Sequence, residues 1–168
     1  MEIRRLISAD LDSYFRNRLR ALQNSPSAFL TTLEEEKERG KSHFAETLAH
    51  QANEKVILGA IEDGDVVGTI GLFQESRPKL IHKAAIWGMY VDVDSRTKGV
   101  GGKLLDLAIQ HARNRMKVAA VYLSVEFKNI AAKRLYESRG FKVWGTEPRA
   151  MAAGGVFFEE DHMVLLLD

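Results

Sequence analysis

Apolar residues recur along the chain with two different periods, and the first third is dominated by the longer, helical one. A short apolar segment at Ile3–Ile7 suits a strand, and the apolar positions within Leu11–Leu22 then recur every three or four residues, which predicts an amphipathic helix. Thr32 and Glu35 have the spacing of a capping box and predict the start of a second helix, whose apolar face is interrupted near Gly40. The first third therefore predicts one strand followed by two helices.

From Val56 onward, short apolar runs of strand length replace the helical pattern. Val56–Ile61 and Val66–Phe73 flank the dipeptide Asp63-Gly64, which supplies the positive φ angles that a tight hairpin turn requires. A long strand follows at Ala84–Val93. The middle of the chain therefore predicts a hairpin and a third strand.

The remaining segments alternate between the two periods. Val100–Ala112 carries a helical apolar stripe, Val118–Glu126 reads as a strand, and Asn129–Tyr136 reads as a short helix. Gly140 lies where a left-handed glycine commonly ends a helix. Two strands around a turn at 152–155 close the chain. The complete order predicts an α/β (α+β) protein with a mixed sheet flanked by helices, and 168 residues suit a single domain over 1–168.

Composition excludes several classes of function. The chain has no cysteine, and its five histidines lack metal-ligand spacing, so neither a disulfide nor a metal site is expected. The 24 Lys and Arg residues nearly balance the 23 Asp and Glu residues, which leaves no global field to attract nucleic acid. No apolar run approaches the roughly 20 residues of a membrane span. We therefore expect a soluble, cytoplasmic protein that binds neither nucleic acid nor membrane.

A basic, glycine-rich turn precedes the helix at Val100–Ala112. Arg96, Gly99 and Gly101 stand in an Arg-x-x-Gly-x-Gly pattern. Glycines let backbone N–H groups converge on a phosphate, and the following helix adds the positive end of its dipole. The turn is not a nucleotide-triphosphate loop, because Thr97 replaces its first glycine and Leu104 its final hydroxyl residue. Leu104 also occupies the third glycine of a dinucleotide fingerprint.

A second segment, Asn129 to Phe141, reads Asn-Ile-Ala-Ala-Lys-Arg-Leu-Tyr-Glu-Ser-Arg-Gly-Phe. Asn129 can cap the helix or hydrogen-bond an amide-rich ligand, while Tyr136 lies two turns along the same face and can equally be a core residue. Together the two segments resemble the GCN5-related N-acetyltransferase (GNAT) superfamily. The turn resembles its acyl-CoA signature, and the second segment resembles its pattern Asn-x-x-Ala-x-x-Leu-Tyr-Glu-x-x-Gly-Phe. The resemblance covers about the whole chain.

This resemblance implies a single N-acetyltransferase domain with a mostly antiparallel sheet of about seven strands. A splayed pair of parallel strands in that sheet would form the acyl-CoA cleft. Acetyl-CoA is the implied co-substrate, and no metal is implied. The implied binding residues are main-chain groups of one strand, the glycine-rich turn and the helix-start asparagine: Met89, Tyr90, Val91, Arg96, Thr97, Lys98, Gly99, Val100, Gly101, Gly102 and Asn129.

The resemblance also implies direct attack of a primary amine on the thioester. Tyr136 is the candidate acid, because a phenol stays protonated until near pH 10. Some relatives carry a glutamate at the position of Ser124, so Glu126, on the same strand face, is the best substitute base, although it can also be an ordinary ion-paired carboxylate. His162 and the acidic run Glu159–Asp161 can also receive a proton through water.

The acceptor is the least defined part of the prediction. In the family, the first helices and the final hairpin wall the acceptor pocket, which corresponds to 14–38 and 150–162. Acidic runs at Glu34–Glu36 and Glu159–Asp161 could attract a polyamine, an aminoglycoside or a peptide N-terminus, or they could simply be solvated faces. The acceptor is thus expected to be a small-molecule or peptide amine. A non-catalytic acyl-CoA sensor or partner module is the alternative, and a homodimer is compatible with the family but has no signal in the sequence.

Overall fold

Seven strands form one mixed sheet in the computed structural model, which describes residues 1–167 except Thr97. The strands are β1 (Glu2–Arg5), β2 (Lys55–Glu62), β3 (Asp65–Gln74), β4 (Lys83–Val91), β5 (Ala120–Glu126), β6 (Lys142–Ala153) and β7 (Val156–Leu166). Their order is β1-β2-β3-β4-β5-β7-β6. Within the described residues, β4 and β5 are the one parallel pair of neighbours. The expected mixed, mostly antiparallel sheet is confirmed.

Helices cover both faces of this sheet. Those in the described residues are α1 (Leu11–Asn24), α2 (Leu33–Arg39), α3 (Ser42–Ala49), α4 (Val100–His111) and α5 (Ile130–Glu137). Alternate residues of β2 point to opposite faces. Val56 and Leu58 pack in a core with Leu104 of α4, whereas Ile57 packs with Tyr14 of α1 in a second core. The expected flanking of the sheet by helices is confirmed.

The capping box at Thr32 is formed, but the helix that it starts is shorter than predicted. Thr32 Oγ1 accepts a hydrogen bond from the Glu35 N–H at 3.2 Å, and the Glu35 carboxylate accepts one from the Thr32 N–H at 2.7 Å. Gly40, at φ +72°, ends α2, and α3 begins two residues later. The predicted second helix is therefore two helices, because the glycine breaks the chain direction between them.

The two hairpins also follow from local chemistry. Asp63 (φ +52°) and Gly64 (φ +85°) form the predicted turn between β2 and β3. The C-terminal strands β6 and β7 flank the predicted turn at 152–155, since β6 ends at Ala153 and β7 begins at Val156. Their pairing shifts register twice, and the second shift includes Arg149 at φ +53°. These bulges hide the simple alternation that a regular strand would show.

The parallel pair β4–β5 separates soon after it starts. Its pairing covers only Lys83–Ala85 against Ala120–Tyr122, although β4 continues to Val91 and β5 to Glu126. Gly88 (φ +60°) lies in β4 where the register against β3 shifts, so the strand bulges there. The expected splayed parallel pair is confirmed.

Candidate active site

One cavity, which we call the turn-side cavity, opens between β4, the start of α4 and α5. Its volume is about 440 Å³. Residues predicted from the sequence make up much of its lining: Met89, Tyr90, Val91, Arg96, Gly99, Gly101, Gly102, Asn129 and Tyr136. Three sequence segments that are up to 47 positions apart thus meet around one space, as the family resemblance implies.

The glycine-rich turn forms the start of α4 in this cavity. Gly99 has φ +73°, a left-handed conformation that favours glycine. A Cβ on Gly101 would lie 3.2 Å from Leu135 Cδ2 of α5, so glycine lets the two helices approach. The first N–H groups of any helix lack partners within the helix and attract anions. The turn therefore presents the kind of surface that binds a phosphate.

Two of the predicted turn residues, Lys98 and Val100, are not among the residues that line the turn-side cavity. Lys98 Nζ lies 3.3 Å from the Glu62 carboxylate, outside the residues that line the turn-side cavity. Val100 is completely buried in the core, so only its backbone is available to a ligand. Thr97 lies outside the described residues.

Arg96 and Tyr90 shape the mouth of the turn-side cavity. Arg96 Nε donates a hydrogen bond to the Val91 carbonyl at 3.0 Å, and its guanidinium lies 5.6 Å from the centre of the Tyr90 ring. The Tyr90 hydroxyl accepts a hydrogen bond from Asn24 Nδ2 at 3.0 Å. These contacts hold a cation at the exposed end of β4.

Asn129 and Tyr136 form the opposite wall, on α5. Asn129 Oδ1 caps the helix by accepting a hydrogen bond from the Ala132 N–H at 3.1 Å, and the residue also lines the cavity. Tyr136 is 7% exposed, its hydroxyl donates to Met89 Sδ at 3.4 Å, and burial raises its pKa to about 12. A phenol with this pKa remains protonated throughout the neutral range and can donate a proton.

A narrow passage of about 80 Å³ follows the gap between β4 and β5. Gly88, Ser124, Glu126 and Tyr136 line it. Glu126 Oε2 accepts a hydrogen bond from Ser27 Oγ at 2.6 Å, which fixes the carboxylate against the segment that follows α1. The passage shares Tyr136 with the turn-side cavity, and it shares Gly88 and Ser124 with the cavity beyond.

That second space, the aromatic cavity, has a volume of about 600 Å³. Its aromatic lining comprises Phe29, Phe73, Trp87, Tyr122 and Trp144. Arg18, Ser124, Glu160 and His162 are among its polar lining residues. Sequence reasoning missed Arg18 and the two tryptophans, because single aromatic or basic residues on separate elements carry no motif.

A hydrogen-bonded chain runs along the edge of the aromatic cavity. Ser124 Oγ lies 2.9 Å from His162 Nδ1, and His162 Nε2 lies 2.8 Å from the Glu147 carboxylate. Because a carboxylate can only accept, Nε2 carries the imidazole proton and Nδ1 accepts from Ser124. Burial raises the pKa of nearby Glu160, and the negative charge of Glu147 adds to this effect.

Residues 17–141 match the family model described as "Acetyltransferase (GNAT) family", which covers most of the chain. The chain belongs to the GNAT acetyltransferase family. Its enzyme class is therefore N-acetyltransferase, as the sequence resemblance predicted. The GNAT match contains the glycine-rich turn and the segment from Asn129 to Phe141, both of which line the turn-side cavity.

Similar proteins cover different parts of this GNAT chain. The L-amino acid N-acetyltransferase AaaT of Escherichia coli is 29% identical over 120 residues, which are 71% of this chain and 73% of that protein. The spermine/spermidine N(1)-acetyltransferase of Bacillus subtilis is 35% identical over 92 residues, which are 52% of this chain and 60% of that protein. The yncA protein of Salmonella typhimurium, solved with its cofactor acetyl-CoA, is 25% identical with a TM-score of 0.83, covering 100% of this chain and 94% of that one.

Two other predictions can be compared with the described part of this GNAT structure. Residues 1–167, apart from Thr97, contain no cluster of three or more His, Asp or Glu side chains arranged to hold a metal ion. Across the same residues, no helix combines the length and the apolar character that a membrane crossing requires.

Proposed function

We propose that this chain transfers the acetyl group of acetyl-CoA to a primary amine of a small molecule or peptide, by direct attack of the amine on the thioester. The observation that carries the proposal is the passage between β4 and β5, which joins a phosphate-binding type of turn on one side to an aromatic cavity on the other. Such an arrangement brings two substrates together at one point. We further propose that residues 1–168 form one catalytic domain.

On the donor side, the pantetheine arm would run along β4. Beyond Ala85 this strand no longer pairs with β5, so the backbone of Met89, Tyr90 and Val91 faces the gap and can bind the arm as an added strand would bind. The pyrophosphate would lie on the backbone from Gly99 to Gly102, and Arg96 would supply charge. Asn129 would contact the arm from α5. Acetyl-CoA in the yncA structure supports this choice of donor.

In the chemical step, the amine nitrogen attacks the thioester carbon, the C–S bond breaks and coenzyme A leaves as a thiolate. Main-chain N–H groups at the β4 bulge near Gly88 would stabilise the negative oxygen that forms. Tyr136 would protonate the leaving sulfur and later regain a proton from solvent. Its position in both the turn-side cavity and the passage supports this role.

The proton of the attacking amine has two acceptors within reach of the passage. Glu126, the base predicted from the sequence, already accepts a hydrogen bond from Ser27. The hydrogen bonds from Ser124 through His162 to Glu147 offer a second route. In this route Ser124 Oγ takes the amine proton and gives its own proton to His162 Nδ1. Glu147 would stabilise the imidazolium. We propose the route through Ser124 and His162 as the main one.

Substitution of these two groups should separate the routes. We expect His162→Asn to lower kcat/KM about 100-fold, a typical contribution of a positioned base. Glu126→Gln should retain most of the activity. The reverse pattern, with activity lost only in Glu126→Gln, would show that Glu126, the base predicted from the sequence, accepts the amine proton.

The proposed activity can be tested directly by thiol release. The protein is incubated with acetyl-CoA and a panel of amino acids, amines, polyamines and peptides, and free coenzyme A is measured. We expect release that depends on one class of amine, together with thermal stabilisation by acetyl-CoA alone. Stabilisation without release from any acceptor would contradict catalysis and favour an acyl-CoA sensor, whereas no stabilisation would contradict both.

A further inference from the structure

Arg18 of α1 is a cation held at the wall of the aromatic cavity. Its side chain is only 12% exposed, and its Nε donates a hydrogen bond to Glu36 Oε2 at 3.1 Å. The guanidinium also lies 5.0 Å from the centre of the Phe29 ring. The ion pair and the ring fix the group from two sides, so its position in the cavity is defined before any ligand arrives.

The two terminal nitrogens of Arg18 are left for a ligand. Within the described residues, neither Nη1 nor Nη2 hydrogen-bonds to a protein acceptor. Nη1 lies 3.9 Å from the point where a Cβ on Gly88 would be, next to the bulge in β4. An arginine fork matches a carboxylate through two parallel hydrogen bonds, and such charge-assisted bonds are the strong ones. Arg18 therefore offers an anion site beside the proposed reaction centre.

We propose that Arg18 binds the carboxylate of the acceptor, and that the acceptor is a free α-amino acid. The inference rests on the proposed function, because it names the substrate of that same cavity. In an α-amino acid the carboxylate carbon is about 2.5 Å from the amine nitrogen, so both groups must fit near Gly88. The short distance between Arg18 and Gly88 meets this requirement, whereas a peptide N-terminus has an amide where the carboxylate would be.

The other walls of the aromatic cavity agree with a zwitterion that has a bulky side chain. Ser124, His162 and Glu160 lie on the β5 and β7 side, where their hydroxyl, imidazole and carboxyl groups suit the amino group. Trp87 and Trp144 belong to the aromatic lining, which provides apolar surface for a large side chain. A polyamine has no group for the guanidinium to bind, and one of its ammonium groups close to Arg18 would be repelled.

Matched pairs of acceptors test the proposal. Phenylalanine, tryptophan, leucine and methionine are each compared with the amine that lacks the carboxylate, such as phenethylamine for phenylalanine, and with spermidine. We expect the amino acid to have the higher kcat/KM in at least one pair. Arg18→Gln should lower that value about 10- to 100-fold and should lower the value for the matching amine much less.

Control variants separate binding from folding. Arg16→Gln removes an exposed arginine of the same helix, which pairs with Asp65 away from the cavity. It should leave kcat/KM unchanged for both the amino acid and the matching amine. Arg18→Gln combined with Glu36→Gln avoids leaving the buried Glu36 carboxylate without its partner and should show the same selective loss as Arg18→Gln. The KM for acetyl-CoA should stay constant in all of these variants.

Two results would overturn the inference while leaving the proposed function intact. One is higher kcat/KM for spermidine or the simple amines than for every amino acid. The other is an equal loss for both members of a pair in Arg18→Gln. By contrast, absence of thiol release with these acceptors and also with the peptides of the wider panel would contradict the proposed function itself.

Discussion

Replacement of Tyr136 by phenylalanine is expected to lower kcat about 10²- to 10⁴-fold, the usual contribution of general acid catalysis. The change removes only the hydroxyl of a residue that lines both the turn-side cavity and the passage. The ring should keep its packing against Phe141, whose centre lies 5.8 Å away, so binding of acetyl-CoA should be unchanged. The measurement is steady-state turnover at saturating acetyl-CoA and amine.

Tyr14→Phe is the matched control for this experiment. Tyr14 is also a buried tyrosine, at 2% exposure, but it packs with Phe44 in the core that faces α1 and α3. The Tyr14→Phe variant should therefore keep full turnover. Full turnover in Tyr136→Phe as well would exclude the acid role. Burial raises the pKa of Tyr136 to about 12, so we expect any loss of wild-type activity between pH 7 and 10 to come from another group.

Replacement of Lys133 by methionine is expected to lower the free energy of unfolding by about 3–5 kcal/mol, because it breaks a buried ion pair and leaves one charge without its partner. Lys133 of α5 pairs with Asp161 of β7, whose side chain is 2% exposed. The pair ties the helix that carries Asn129 and Tyr136 to the sheet. Chemical denaturation at neutral pH measures the loss, and Lys128→Met, an exposed change just before α5, should have an effect within about 0.5 kcal/mol.

The effect of Lys133→Met should depend on pH. Burial opposes the charge of Asp161, but hydrogen bonds from Lys133 and from Thr146 Oγ1 (2.6 Å) outweigh it and lower its pKa. A lowered folded-state pKa adds stability that is present above the unfolded value and is lost as the pH falls through the folded value. The difference between wild type and variant should therefore shrink in acid. A difference that stays constant down to pH 2 would show that the ion pair is not its cause.

Much of the fold could be predicted from the sequence, because the sequence patterns that specify its turns and helix starts are local. The turn at Asp63 and Gly64 needs only a dipeptide with access to positive φ, and the capping box at Thr32 needs only a partner three residues away. The glycine-rich turn was recognisable for the same reason. These patterns act over one turn of helix or one hairpin, so their physics is complete within a few residues.

The candidate site could be predicted from the sequence only in part. The donor side depends on two compact motifs, and Gly99, Gly101, Asn129 and Tyr136 do line one cavity. Lys98 was expected beside them, but its Nζ pairs with the Glu62 carboxylate of β2. The role of each of these residues stays a prediction until the variants are measured.

The element types, the glycine-rich turn and the α5 motif could be predicted from the amino-acid sequence, since periodicity and short-range capping are encoded in neighbouring residues. The folded chain was needed to show that β7 lies between β5 and β6, that Ser124 lies beside His162, and that Arg18 lies close to Gly88. Those contacts join residues 38 to 70 positions apart. They arise from strand order and helix packing, which apolar periodicity does not specify, and they define the cavity in which the acceptor would be recognised.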